Sequence, residues 1–412
     1  MKKTKLLVCL VLMIALLLPS TAAFAKVTIM TNDTTKVGWD DFLKLLSEGS
    51  GVEIEAITSP SNPDDRVAKM TTILASGDSS VDIMHINDEM VTQFMYADFL
   101  EPLQGDVMRP EVAGLFNQDF MKDRYMVGDN IYGVPCYNGM ITLWINEDFV
   151  KSTGLAIPTN QEEFEAFIKA STDEAAGTFG YAGAWEHTYS FNEIGIFINL
   201  FSGDFFNWKD AKTQAGLQFM YDMANTWKVT PLSQLAEQYE PMNQKFIDGK
   251  HAMEFMWCGV INDFIESGVY GEDKIHMITV PTFEVSTTFM DAWYYVLNAG
   301  SQNKEEAKKV LEYATSPEFE LAYLELTGNP PARPDVLAGE TIQAEKYAPW
   351  HEMIKALNEY NEKSVLHGRP MVPATMEYIS EVGTIFQRYI LNEVTLDEAA
   401  DLQLKAYESM KP

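Results

Sequence analysis

Apolar positions along the chain switch between two spacings. "KVTIMTND" from Lys26 reads as a strand, "VEIEAI" from Val52 alternates with a period of two, and "VDIMHI" from Val81 is a short apolar strand. Between them, "WDDFLKLLSEGSG" places Phe42, Leu45 and Leu46 on one side of a helix, with Gly49 and Gly51 near its end. "DRVAKMTTILASG" spaces Val67, Met70, Ile73 and Leu74 for one helical face. Strand and helix in strict alternation predict a mostly parallel sheet covered by helices, hence an α/β fold.

The pattern is interrupted at "YGVPCYNGMITLWINEDF", Tyr132 to Phe149. Two apolar stretches, Ile131–Val134 and Met140–Ile145, flank a proline that has no N–H to donate and an Asn138-Gly139 pair with turn chemistry. This predicts two strands with a bend between them. Helix starts follow further on. Thr159 with Glu162 reads as a capping box before Phe164, Phe167 and Ile168, and Thr395 with Glu398 as another before Ala399, Ala400 and Leu402. Ser316-Pro317 reads as an N-cap followed by proline in the first turn, and from about Glu305 the chain is largely helical. No internal repeat, low-complexity tract or long linker appears. Two lobes that the chain crosses between fit 412 residues better than two beads on a string.

Charge changes the picture next. Thirty basic against 60 acidic residues give −30. That surface repels nucleic acid and anionic membranes and favours solubility. The first 25 residues supply Lys2, Lys3 and Lys5, the apolar run "LLVCLVLMIALLL", and small residues at Ala23 and Ala25. This is the pattern of a secretory signal cleaved after Ala25, and its apolar run is too short for a membrane span of ~20 residues. Cleavage leaves 27 basic residues against 60 acidic, or −33. Cys9 comes too early in the apolar run for a lipoprotein box, so the expectation is a free periplasmic protein without a direct membrane anchor. Only Cys136 and Cys258 then remain, which is no disulfide framework. Both are expected to be free, buried thiols.

The chain carries no G-x-S-x-G, H-E-x-x-H, P-loop or dinucleotide fingerprint, and its six histidines lack metal-ligand spacing. "WEHTY" at Trp185–Tyr189 holds a lone Glu-His pair. No catalytic residue, metal ligand or cofactor site is therefore assigned. The aromatics are more telling. Trp185, Trp257 and Trp293 stand beside turn residues or acids rather than in periodic apolar runs. Aromatic faces with Asp, Asn and Tyr edges nearby suit a pocket that stacks sugar rings and binds their hydroxyls.

Five segments taken in order resemble a known family. They are "VDIMHINDEMVTQFMYADFLEPL", "YGVPCYNGMITLWINEDFVKSTGLAIPTNQEEF", "FIDGKHAMEFMWCG", "NAGSQNKEEAKKVLEYATSPEFE" and "GRPMVPATMEYISEVGTIFQRYILNEVTLDEAA". Together they are similar to the extracellular solute-binding proteins of ABC transporters, in the sugar-binding branch related to maltose-binding protein. Two positions depart from the family pattern: "INED" stands for Y-N-K-D, and Asn160 replaces a tryptophan.

The resemblance implies the two-lobed (type II) periplasmic binding protein fold, with helices on both faces of mixed, mostly parallel sheets and a ligand cleft between the lobes. It implies an N-terminal lobe of residues 26–137 and 292–335 and a C-terminal lobe of 138–291 and 336–412. Hinge crossings are expected at Pro135–Gly139, Thr288–Trp293 and Arg333–Leu337. It further implies a monomer that captures a mono- or oligosaccharide or polyol without altering it, and delivers it to membrane-embedded permease subunits. Carried over by position, the ligand contacts are Asn32, Asp33, Asn87, Asp88, Tyr137, Asn138, Trp185, Trp257, Asp291, Trp293 and Arg369. Two alternatives stand beside this reading: a binding protein for a cationic solute such as a polyamine, and a secreted glycan-active enzyme.

Overall fold

A computed structural model describes residues 26–363 and 367–410. The expected secretory signal, with Cys9, lies outside the described residues. Nine strands form one mixed sheet in the order β2-β1-β3-β8-β4-β6-β5, with β9 beside β8 and β7 beside β4. The strands are β1 (Val27–Thr31), β2 (Ile54–Thr58), β3 (Ile83–Asn87), β4 (Gly133–Asn146), β5 (Phe179–Ala182), β6 (His251–Trp257), β7 (Ile275–Ile278), β8 (Phe289–Leu297) and β9 (His367–Gly368). The two ends of the sheet are parallel, β2-β1-β3 on one side and β6-β5 on the other. The middle is antiparallel, because β8 runs against both β3 and β4, and β4 against both β6 and β7.

Two hydrophobic cores hold two lobes. The first gathers Val27, Ile29, Phe42, Leu46, Ile83, Val134, Val296, Val310 and Phe319. The second gathers Leu143, Ile145, Phe164, Phe197, Phe255, Phe289, Ile379 and Phe386. Both β4 and β8 belong to both cores. On β4 the change of core falls between Tyr137 and Met140, and on β8 between Met290 and Ala292. Further on, Ala332 packs in the first core and Leu337 in the second. The fold is the two-lobed α/β architecture that the resemblance implies.

The interruption expected at Pro135 and Asn138-Gly139 is not there. β4 is one strand of 14 residues. Tyr137 pairs with Trp293 but Pro135 pairs with Tyr294, so Cys136 is the extra residue of a bulge. A bulge disrupts the ladder locally, which is where a strand tolerates the missing N–H of proline.

Helix starts follow the expected chemistry with one shift. Asn62 caps helix α2 (Pro63–Ala75) by accepting from the Asp65 N–H, and Ser316 caps α6 (Pro317–Thr327) by accepting from Phe319. Thr395 and Glu398 bond reciprocally at the head of α7 (Leu396–Met410), a complete capping box. At α3 (Gln161–Ala170) the cap is Asn160, not Thr159, and the third residue of the helix is Glu163, not Glu162. The Glu163 carboxylate reaches back to the Thr159 N–H at 2.8 Å. Helix α1 (Trp39–Ser50) buries Trp39, Phe42 and Leu46, and ends at Gly51 with φ 69°, a left-handed cap that glycine adopts without a Cβ clash.

Candidate ligand cleft

A cavity of about 320 Å3 opens between the lobes. Its first wall comes from the C-terminal ends of parallel strands, where open α/β sheets present their ligands. Asn32 follows β1, Asn87 ends β3 and Glu89 comes just after it; Ser61, Pro63 and Arg66 approach from the start of α2. The second wall is built by Thr188, Tyr189 and Asn192 at the head of α4 (Ser190–Leu200), by Tyr239, Glu240 and Asn243 on α5 (Tyr239–Ile247), and by Trp257 at the end of β6. The floor is the pair of shared strands, with Tyr137 and Gly139 on β4, Asp291 and Trp293 on β8, and Arg369 beside them.

Strand geometry explains which side chains reach this floor. Successive residues of a strand point to opposite faces. Tyr137 and Gly139 share one face of β4, and Asp291 and Trp293 share one face of β8. Asp291 pairs with Gly139, where any side chain would collide with the Asp291 Oδ1. Asn138, expected at the ligand because a turn was expected, is therefore not among the lining residues; the residue is half-buried and its buried amide oxygen has no partner among the described residues.

Three other expected contacts also stand off the wall. Asp33 turns inward, where it accepts from the Tyr323 hydroxyl at 2.5 Å and lies 3.3 Å from His85 Nδ1. Burial pushes that histidine down to about 4, against the pull of Asp33, so the ring is neutral at pH 7. Asp88 is fully buried and paired with Arg369 at 2.7 Å and Arg124 at 3.3 Å. Trp185 is a core residue, its Nε1 donating to Glu193 at 2.9 Å and its ring packed edge-on against Phe386. Asn32, Asn87, Tyr137, Trp257, Asp291, Trp293 and Arg369 do line the cavity.

The two lining tryptophans differ. Trp293 is 8 % exposed, with Tyr137 stacked at 6.0 Å, His85 at 4.6 Å and the Arg66 guanidinium at 5.3 Å. Little of its face is free. Trp257 is half-buried, with Arg369 at 5.5 Å and Phe289 meeting it edge-on. It offers the more open aromatic surface.

Polar atoms in the cleft are incompletely paired. Among the described residues, the Oδ1 atoms of Asn87, Asn192, Asn243 and Asp291 are buried without a hydrogen-bond partner, and their residues are only 2 to 6 % exposed. A buried acceptor left unpaired costs about 1–3 kcal/mol, so four of them around one cavity favour a donor-rich occupant. Asp291 Oδ2 accepts from Trp293 Nε1 at 2.8 Å. Burial pushes the Asp291 carboxyl up to about 7, although Arg369 opposes it. The guanidinium of Arg369 lies against Asp88, Glu89 at 3.0 Å and Asp291 at 3.7 Å. Burial works against its charge, but those carboxylates hold its pKa above the ordinary arginine range.

Several wall residues escaped the sequence reading: Arg66, Glu89, Tyr189, Asn192, Tyr239 and Asn243. One signal was available. In "SFNEIGIFINL" the adjacent Asn192 and Glu193 stand in a run that is apolar apart from them, Ser190 and Asn199, and every residue of that helix is buried. Asn192 faces the cleft, while Glu193 turns to the interior and accepts from Tyr181, Trp185 and the Ala184 N–H.

Cys136 and Cys258 are both free and buried. Burial pushes the Cys258 thiol up to about 12 and raises that of Cys136 as well. Among the described residues no group of three or more His, Cys, Asp or Glu side chains gathers to hold a metal ion, and no helix is long and apolar enough to cross a membrane.

Solved structures share this architecture. T. maritima MalE3 with bound maltose superposes with a TM-score of 0.80 at 20 % identity, covering 93 % of this chain and 99 % of that one. A solute-binding protein from Thermotoga lettingae with bound α-D-tagatose gives 0.80 at 19 % identity, with 93 % and 99 % covered. One from Agrobacterium vitis with bound D-mannitol gives 0.72 at 18 % identity, with 93 % and 98 % covered. At these identities the likeness establishes the fold. The model of the bacterial extracellular solute-binding protein family matches residues 32–320, and the chain belongs to that family.

Proposed function

We propose that this protein captures a carbohydrate in the cleft between its lobes and delivers it, unaltered, to the permease of an ABC transporter. The observation that carries the reading is the pairing of an open Trp257 face with four buried, unpartnered acceptor oxygens around one cavity. A sugar ring supplies what that cavity lacks, an apolar C–H face for the indole and several hydroxyl donors for the oxygens. The sugars bound by the similar structures, maltose, tagatose and mannitol, support the class. The proposed contacts are Asn32, Asn87, Tyr137, Trp257, Asp291, Trp293 and Arg369. Asn192 and Asn243 join them, and Asp33, Asp88 and Trp185 act as supports behind the wall.

The lobes are residues 26–137 with 292–335, and 138–291 with 336–412. β4, β8 and the Arg333–Leu337 segment act as hinges, so that ligand closes one lobe on the other. The protein works as a monomer in the periplasm after cleavage behind Ala25. A cationic solute suits the site less well, because Lys36, Arg66 and Arg369 line the cavity and offset most of the charge of Glu89, Glu240, Asp263 and Asp291.

A thermal-shift screen against a sugar and polyol library tests the function. A ligand present at 100 times its Kd adds about 2.7 kcal/mol of stability, which moves the melting temperature by several degrees. A library that leaves the melting temperature unchanged throughout contradicts the reading.

A further inference from the structure

Arg66 is 3 % exposed and lines the cleft, yet its donors are poorly used. One terminal nitrogen donates to the Ser61 carbonyl at 3.1 Å and lies 3.5 Å from that of Pro60. The other is 3.5 Å from Glu89, and the Nε has no partner among the described residues. Glu89 itself is closer to Arg369, at 3.0 Å. A guanidinium offers five N–H donors in a planar fork and cannot shed its charge. Left this unpaired inside a cavity wall, it calls for an anion.

Resting on the carbohydrate reading, we infer that the ligand is an anionic sugar whose acid group, a carboxylate or a phosphate ester, is held by Arg66. The charge balance of the wall agrees. Arg66 and Arg369 are both buried and share the carboxylate of Glu89, while Arg124, behind the wall, pairs with Asp123 and Asp88. The third acid there, Asp291, is partly neutral near pH 7. Lys36 adds a further cation on the same wall. The acids Glu240 and Asp263 line the opposite wall. The chain's net charge of −30 does not reverse this preference. Exposed charges are screened beyond about 8–10 Å at physiological salt, whereas a buried guanidinium contact is screened far less. The fork of arginine matches two oxygens of a carboxylate or phosphate at once.

The test is calorimetry with matched probes: glucose, glucuronate and glucose 6-phosphate, then galactose, galacturonate and galactose 6-phosphate. The inference expects at least one acid form to bind tenfold or more tightly than its neutral parent, a preference that survives from 0.05 to 0.5 M salt (screening lengths of ~14 and ~4 Å) because the contact is buried. Which acid binds distinguishes carboxylate from phosphate. Arg66→Gln should abolish the preference, and Arg66→Lys, which keeps the charge but loses the fork, should retain part of it; circular dichroism checks that both variants fold. Neutral parents binding as tightly as their acids overturns the inference and leaves the carbohydrate reading standing. Preference surviving in a folded Arg66→Gln protein also overturns it. Binding by none of the six probes overturns it as well, and the wider library decides whether the carbohydrate reading falls with it.

Discussion

Glu193 allows the internal electrostatics of the second lobe to be tested without any ligand. Its carboxylate is fully buried and accepts from the Tyr181 hydroxyl at 2.5 Å, Trp185 Nε1 at 2.9 Å and the Ala184 N–H at 2.7 Å. Burial outweighs these three donors and lifts the pKa from 4.5 to about 7. A raised carboxyl pKa means that the folded state holds its proton longer than the unfolded chain does. The stability this proton confers is complete below about 4.5 and is lost as the pH rises through about 7. The loss amounts to about 3 kcal/mol in all, with a slope of up to about 1.4 kcal/mol per pH unit.

Glu193→Gln removes the titration. The amide nitrogen cannot accept from Trp185 or Ala184, so the variant starts at pH 5 with a deficit of about 1–3 kcal/mol. That deficit should shrink between pH 5 and 8 and close or reverse at the upper end. Urea unfolding followed by tryptophan fluorescence at each pH, extrapolated linearly to water, measures it. Taking the difference between the two proteins cancels the contribution of other groups, Asp291 included. A deficit that stays constant from pH 5 to 8 would refute the argument.

Three further outcomes follow from the cleft and the hinge strands. Trp257→Ala should weaken binding of the identified ligand at least tenfold in calorimetry, since aromatic contacts contribute about 0.5–1.5 kcal/mol beyond the area they bury; an unchanged affinity removes Trp257 from the site. Gly139→Ala should push Asp291 out of place, because the added methyl meets its carboxylate, and so lower both melting temperature and affinity. If that variant binds as the parent does, Asp291 is not a contact. Intact mass measured without reductant should show Cys136 and Cys258 as two free thiols that react with maleimide only after unfolding. A mass lower by two hydrogens would mean a bridge.

Much of the scaffold was legible because local chemistry decided it. The period-two run of β2, the Ser316-Pro317 cap and the reciprocal Thr395–Glu398 box each involve residues a few positions apart. The reading failed where distant partners decide. Pro135 looked like a break, but a bulge against β8 absorbs its missing N–H. That misreading put Asn138 on the ligand face, although a continuous strand turns it away.

The acids show the same limit. Asn32-Asp33 and Asn87-Asp88 are the same dipeptide after two parallel strands, and all four side chains were assigned to the ligand. In both places the asparagine lines the cleft and the aspartate turns inward, to Tyr323 in one case and to Arg369 and Arg124 in the other. No spacing rule shows that inward turn, because Tyr323, Arg369 and Arg124 lie 36 to 290 residues away from the acids they hold. Arg66 was missed for a related reason. In "NPDDR" it reads as an ordinary charge in the first turns of a helix, and the side chains that meet it, Glu89 and Trp293, come from further along the chain.

The central claim, a saccharide held in the cleft and released unchanged, has one most direct measurement. The purified protein is incubated with a pooled library of neutral and acidic sugars, freed of unbound material, denatured, and the released molecules are identified by mass spectrometry. The account predicts one saccharide at close to one molecule per chain, with its mass intact, and its loss from a folded protein carrying Trp257→Ala. Release of no saccharide, or of one whose mass has changed, would contradict it.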